Sequence, residues 1–195
     1  MPGDTESFVE PATRTKYDLL RSKHVIVPLS LQRKLHLCGL IALLAALAGP
    51  IVATLPAPVR EMYFVGNPTT TRLGAVAAVL IGTVALAAAV VGLTAVALYL
   101  DRHPDPPESR AWTLIATEDA ASAFGFVTGT LGVVSGDALL ASGHWGTDAV
   151  QGLIGFGIQP YLVYEAFPAT PRTVAVVGLV VGLVALVASV YVGSS

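Results

Sequence analysis

Long runs of apolar residues, separated by short polar segments, dominate the chain after residue 34. The clearest runs cover residues 35–55, 73–100 and 173–192, and the last two contain no charged residue. A transmembrane helix needs about 20 consecutive apolar residues, because each residue advances the helix by about 1.5 Å. The pattern therefore predicts a membrane-spanning helix in each of these three runs.

Two further runs, 117–141 and 148–167, are mainly apolar but include polar residues. Each is long enough to span a membrane, and Trp145 lies in the turn between them, as expected for an interfacial aromatic residue. We therefore predict an all-α polytopic helical membrane bundle of about five transmembrane helices, forming one domain over residues 35–193. The alternative has four transmembrane helices, with 148–167 as a re-entrant or interfacial segment, because Pro160 and several glycines interrupt that run.

Residues 1–34 form a polar segment that holds six of the eleven Lys and Arg residues and shows no sustained helical period. We predict a mostly irregular cytoplasmic tail whose positive charge orients the first transmembrane helix. A second interpretation is that its basic residues recruit anionic lipid.

Composition also indicates a membrane protein. Apolar residues make up 54% of the chain and charged residues only 12%, about half of the roughly 25% usual in soluble domains. So few charges cannot cover a water-soluble enzyme, and so many apolar residues exclude a disordered chain. The net charge of −2 excludes a basic nucleic-acid-binding protein, and the single Cys38 excludes an intrachain disulfide framework. The lipid bilayer is the predicted partner.

Basic residues also predict the orientation in the membrane. With five spans and a cytoplasmic N-terminus, segments 1–34, 101–111 and 168–172 face the cytoplasm and hold nine of the eleven basic residues. Cytoplasmic segments are enriched in Lys and Arg, so this orientation is favoured. We predict a multi-pass cell-membrane protein with a cytoplasmic N-terminus and an external C-terminus. Few lysines and many Ala, Val and Gly residues are typical of a GC-rich prokaryotic source.

Small residues follow one face of the third predicted helix at spacings of three, four, three and four. The stripe consists of Ser122, Gly125, Gly129, Gly132 and Gly136. The last predicted helix repeats the pattern with Gly178 and Gly182. Small residues let helix backbones approach closely in lipid. The faces therefore predict close packing within the bundle, an interface with a second copy or a membrane-protein partner, or the lining of a solute path.

Polar residues inside membrane segments are costly and point to function. The candidates are Glu118, Asp137, Asp148, Gln151 and Gln159. Glu118 either belongs to a helix start at 117–119, where acids are favoured, or extends the small-residue face inward. Asp137 either reaches water at the outer surface or forms a polar cluster with the other three candidates, between the third and fourth predicted helices. The predicted spans offer no basic residue to pair with Asp137 or Asp148, so Asp137 is a candidate proton carrier.

Motifs for catalysis or metal binding are absent from the sequence. There is no nucleophile elbow and no Walker loop. His36 and His103 are predicted on the same side, but His103 lies in a hydrated loop, which argues against a bridging haem. We expect no cofactor and no metal, and predict a non-enzymatic membrane subunit or scaffold that packs through glycine-rich helix faces. The alternative is a small proton-coupled or ion/solute transporter that uses Asp137 and the neighbouring polar residues.

Overall fold

The computed structural model describes residues 16–165 and 167–194, so residues 1–15 of the predicted tail lie outside the described part. These two ranges are helical, with short connections and no β-strand. Four helical stretches are long and apolar enough to cross a membrane: Leu31–Ala53, Gly74–Arg102, Glu108–Trp145 and Pro171–Ser194. The prediction of a helical membrane bundle thus agrees with the helix content, and four spans are candidates instead of five.

Nine α-helices follow one another along the described chain. They are α1 (Lys16–His24), α2 (Leu31–Ala45), α3 (Ala48–Ala53), α4 (Ala57–Tyr63), α5 (Gly74–Arg102), α6 (Glu108–Phe124), α7 (Thr130–Ala141), α8 (Thr147–Gly155) and α9 (Pro171–Ser194). Gly125–Gly129 form a π-helical turn that joins α6 to α7, so these two helices make one continuous rod. Helices α2 and α3 likewise form the first candidate span, with a break near Pro50, whose ring nitrogen cannot donate a helical hydrogen bond.

The third span begins earlier than predicted. Helix α6 starts at Glu108, directly after Pro107, so Glu118 lies about 15 Å along the helix instead of in its first turn. Of the two interpretations of Glu118, the helix start at 117–119 was therefore wrong. The additional residues are helical because Ala111 and Ile115 are buried against neighbouring helices, although the surrounding residues are polar.

The predicted fourth span, 148–167, is not confirmed. Its only helix, α8, has nine residues, about 14 Å in length against a hydrocarbon core of about 30 Å. The chain then leaves the helix near Gly157, whose φ of +82° suits glycine, and pairs briefly with the start of α5. There the Gly74 amide donates to the Leu162 carbonyl at 2.8 Å. Apolar composition was sufficient for a span, but Gly157 and Pro160 end the helix too early.

An even number of spans returns the chain to its starting side. Leu31 at the start of α2, Leu100 at the end of α5 and Val192 near the end of α9 line one groove. We call this end of the bundle, where α1 also packs, the α1 end. The opposite end, which carries α4 and α8, is the α8 end. The prediction that the two termini lie on opposite sides required five spans and is not confirmed.

The bundle is apolar both inside and outside. Its core contains fully buried residues such as Val79, Leu86 and Val133, while Leu131, Val187 and Val91 are 65%, 70% and 70% exposed. A water-soluble helix would present polar residues on its outer face. The exposed aliphatic faces are those expected of helices surrounded by lipid.

A buried charge cluster as the candidate functional site

A single carboxylate joins three helices at the α1 end. Glu118 of α6 is fully buried and accepts hydrogen bonds from Tyr17 and Arg21 of α1 and from Lys34 of α2. The Lys34 Nζ lies 2.6 Å from Oε1, and the Tyr17 hydroxyl lies 2.6 Å from Oε2. We call these four residues the Glu118 cluster.

Arg21 holds both carboxylate oxygens. Its Nη2 donates to Oε1 at 2.8 Å, and its Nε donates to Oε2 at 3.0 Å. Arg21 also donates to the Leu29 carbonyl in the link between α1 and α2. This forked geometry is the strong form of an arginine–carboxylate pair. The guanidinium therefore connects Glu118 with helix α1, which carries Arg21, and with the Leu29 carbonyl just before helix α2.

Burial makes this cluster a permanent part of the fold. The Lys34 and Glu118 side chains are fully buried, and the Arg21 side chain is 23% exposed. Removing one partner from a buried ion pair costs about 3–5 kcal/mol, because the remaining charge is left without compensation. With two cations for one carboxylate, the cluster depends most strongly on Glu118.

The two α1 members keep their protonated forms. Burial raises the pKa of the Tyr17 phenol well above its ordinary value, and the hydrogen bond to Glu118 raises it further. The hydrogen bond to Glu118 also raises the pKa of the Arg21 guanidinium. Both groups therefore remain donors throughout the physiological pH range. The cluster has the properties of a fixed connection.

Further contacts surround the cluster and hold α1 in place. The Ile26 amide donates to Asp119 Oδ1 at 3.1 Å, and the rings of His24 and Trp112 lie 4.8 Å apart. Beneath them a separate apolar core is formed by Tyr17, Val96, Ala111 and Ile115. Residues 16–30 are thus a docked part of the bundle, whereas the sequence predicted an irregular tail.

Sequence reasoning selected Glu118 but missed its three partners. The search for basic partners was made for Asp137 and Asp148 and not for Glu118, and the first span was predicted to begin at residue 35. The neighbouring Lys34 was thereby assigned to the tail. A usable signal existed in the spacing of Tyr17 and Arg21, since residues four apart share one face of a helix.

Asp137 lies on α7 and is partly buried. Its Oδ1 atom is buried without a hydrogen-bond partner in the described part of the chain. An unpaired buried carboxyl oxygen is uncommon, because burial removes its hydration. Asp137 is therefore the one predicted polar candidate that retains an unsatisfied buried oxygen within the described ranges.

The other three candidates are exposed at the α8 end. Asp148 lies in the first turn of α8, and Gln151 donates to the Tyr63 hydroxyl at 2.8 Å. Gln159 lines a groove with Tyr63 and Val150. Within residues 16–165 and 167–194, no hydrogen bond joins these three residues to Asp137. The structure therefore does not bring the predicted polar cluster together as a bonded unit.

The small-residue stripe of the third span faces α5. Ser122 is buried and donates to the Glu118 carbonyl at 2.6 Å, which places the stripe directly below the Glu118 cluster. A Cβ at Gly129 would lie 2.6 Å from Leu86 Cγ, and a Cβ at Gly132 would lie 2.6 Å from the Ala78 carbonyl oxygen. Gly125 and Gly136 face Ala89 and Val79 of α5 in the same way.

The glycines of α9 face α2. A Cβ at Gly178 would lie 2.9 Å from the Ala42 carbonyl oxygen, and a Cβ at Gly182 would lie 3.1 Å from that of Gly39. Both predicted glycine faces are thus occupied by helices of the same chain. Contact between backbones at this distance is what small residues permit in a membrane bundle.

The described residues contain no group of three or more His, Cys, Asp or Glu side chains that could hold a metal ion. Comparisons of the chain with protein-family models, with curated proteins and with solved structures find no match. The candidate function therefore depends on the geometry of the Glu118 cluster, of Asp137 and of the apolar helix faces.

Proposed function

We propose that this chain is a four-span integral membrane protein that acts as a non-enzymatic subunit or scaffold and presents a fixed N-terminal helix at its cytoplasmic face. The Glu118 cluster carries this proposal. It secures α1 to two spans through a buried carboxylate, two cations and a phenol. A carboxylate whose oxygens are all occupied by donors suits a permanent connection better than proton transfer or catalysis.

The membrane location is supported by helix length and by the outer surface. The helix Gly74–Arg102 has 29 residues, about 43 Å, which exceeds a hydrocarbon core of about 30 Å. Exposed aliphatic residues cover the outer faces of the candidate spans. A surface of this kind would drive aggregation in water.

The orientation follows from the basic residues. Among the described residues, segments 16–34 and 101–111 lie at the α1 end and hold seven of the ten Lys and Arg residues. The other three, Arg60, Arg72 and Arg172, belong to the α8 end. Cytoplasmic segments carry the excess of positive charge, so the α1 end is assigned to the cytoplasm. The end of α9 is then also cytoplasmic.

A second candidate function is proton or ion transport through Asp137. The observation that favours it is the buried Oδ1 atom without a partner. A partly buried carboxyl of this kind can bind a proton or a cation in the course of transport. The two functions make opposite predictions about flux.

Proton and ion flux into liposomes that contain the purified protein distinguishes the two functions. A scaffold predicts that wild type and Asp137→Asn both give the flux of protein-free liposomes. Glu61→Gln serves as the matched control, because Glu61 is an exposed carboxyl at the α8 end. Wild-type flux that falls in Asp137→Asn but not in Glu61→Gln would contradict the scaffold proposal and favour transport.

A further inference from the structure

The outer side of α2 carries a basic groove at the α1 end. The groove has a volume of about 350 Å³ and is lined by Leu29, Gln32, Arg33, His36 and Leu37. Arg33 and His36 are exposed, in contrast to the neighbouring Lys34, which is buried in the Glu118 cluster. Among the residues that the structure describes, the Arg33 guanidinium has no ion pair, whereas the Arg21 guanidinium and the Lys34 ammonium are both paired with Glu118.

A stripe of exposed leucines continues from this groove along α2 and into the turn that follows it. Its members are Leu37, Leu40, Leu44 and Leu47. Their spacings of three, four and three keep them on the same side of the helix as Arg33. The distance from Arg33 to Leu47 is about 21 Å along the helix, more than the roughly 15 Å of hydrocarbon in one leaflet.

We propose that this groove and the leucine stripe bind one anionic glycerophospholipid of the cytoplasmic leaflet. Arg33 and the His36 ring N–H donate to the phosphate, the Gln32 amide donates to an ester oxygen, and the acyl chains lie along the leucines. Charge and shape are complementary to such a lipid: a cation without an ion-pair partner among the described residues lies directly above an apolar stripe as long as an acyl chain. This inference rests on the proposed membrane location with the α1 end in the cytoplasm.

Native mass spectrometry of the full chain in detergent micelles tests the site, with phosphatidylglycerol, phosphatidylcholine and inorganic phosphate as separate probes. We expect phosphatidylglycerol to bind more tightly than phosphatidylcholine. We expect Arg33→Gln to weaken phosphatidylglycerol binding about fivefold, the contribution of one basic residue near an anionic lipid surface. The matched control is Arg110→Gln, which removes an exposed charge at the same end and leaves binding unchanged.

Three results would overturn the lipid site. One is equal weakening in Arg33→Gln and Arg110→Gln, which indicates diffuse charge attraction. Another is equal binding of the two phospholipids, and the third is displacement of phosphatidylglycerol by inorganic phosphate. Alkaline carbonate extraction of cell membranes separates this failure from that of the proposed function. If the chain stays in the membrane fraction but shows no lipid preference, only the lipid site is rejected. If the chain is released by carbonate, the proposed membrane location is rejected as well.

Discussion

At the scale of single residues, the most informative feature is that one carboxylate holds three other side chains in place. Glu118 was predicted as a costly polar residue from its place in an apolar run. The prediction could not supply Lys34 and Arg21, because hydropathy places a span boundary only to within a few residues. A one-residue change in that boundary moves Lys34 from the tail into the first span, and the pairing of Glu118 follows.

The Glu118 cluster predicts unequal costs for its members. Glu118→Gln leaves two buried cations without a counter-charge, so we expect a loss of about 3–5 kcal/mol in the free energy of unfolding. Lys34→Met leaves the balanced Arg21–Glu118 pair and should cost less. Thermal unfolding in detergent measures both variants, with the exposed Glu108→Gln as the control on the same helix. Equal costs for Glu118→Gln and Glu108→Gln would contradict the role of the buried carboxylate.

Tyr17→Phe tests the phenol alone. The substitution removes one hydrogen bond to a carboxylate, which is worth about 1.5–3 kcal/mol. The bound form is the neutral phenol, and its pKa is raised above the ordinary value of about 10. The difference between wild type and variant should therefore be full below about pH 10 and be lost progressively as the pH rises from there toward the raised pKa. Unfolding measured from neutral to alkaline pH checks this, and a difference that grows with pH would contradict it.

At the scale of elements, helix α8 shows where apolar composition misleads. The run 148–167 has the length and apolarity of a span, but Gly157 and Pro160 end the helix after nine residues. Hydropathy measures the preference of a segment for lipid. Helix length also depends on backbone conformation and on tertiary contacts, such as the contact of Tyr161 with the last turn of helix α7. There the Tyr161 hydroxyl donates to the Leu140 carbonyl at 2.7 Å. Such contacts join distant residues and are not visible in the local sequence.

The glycine stripe of the third span gives the element-scale prediction. Gly132→Ala places a methyl group against the backbone of α5, which cannot move aside as a side chain can. We expect a loss of about 1–3 kcal/mol in the free energy of unfolding. Gly152→Ala in α8 is the control, because no atom lies within 4 Å of the new Cβ. A Gly132→Ala variant as stable in detergent as Gly152→Ala would show that α5 and the third span do not pack as described.

At the scale of the whole molecule, the number of spans decides which ends share a compartment. Sequence reasoning identified the helical class and the regions of all four candidate spans, because uninterrupted apolar runs are strong signals. It added one further span, and that single addition placed the end of the chain on the side opposite to the one that four spans would give. An even number of spans puts both ends of the bundled chain on one side, and an odd number puts them on opposite sides. The predicted topology therefore depends on the span with the weakest apolar signal. The central proposal is therefore a bundle of four spans in which α1 and the last turn of α9 lie on the cytoplasmic side.

Side-specific labelling of single cysteines tests this claim most directly. Cys38→Ala removes the native thiol, and cysteines are then introduced one at a time by Ser22→Cys, Val65→Cys and Ser194→Cys, at exposed positions. A membrane-impermeant thiol reagent applied to intact cells is predicted to label the Val65→Cys variant alone. The other two should react only after the membrane is made permeable. Labelling of the Ser194→Cys variant together with the Val65→Cys variant in intact cells would contradict the four-span account.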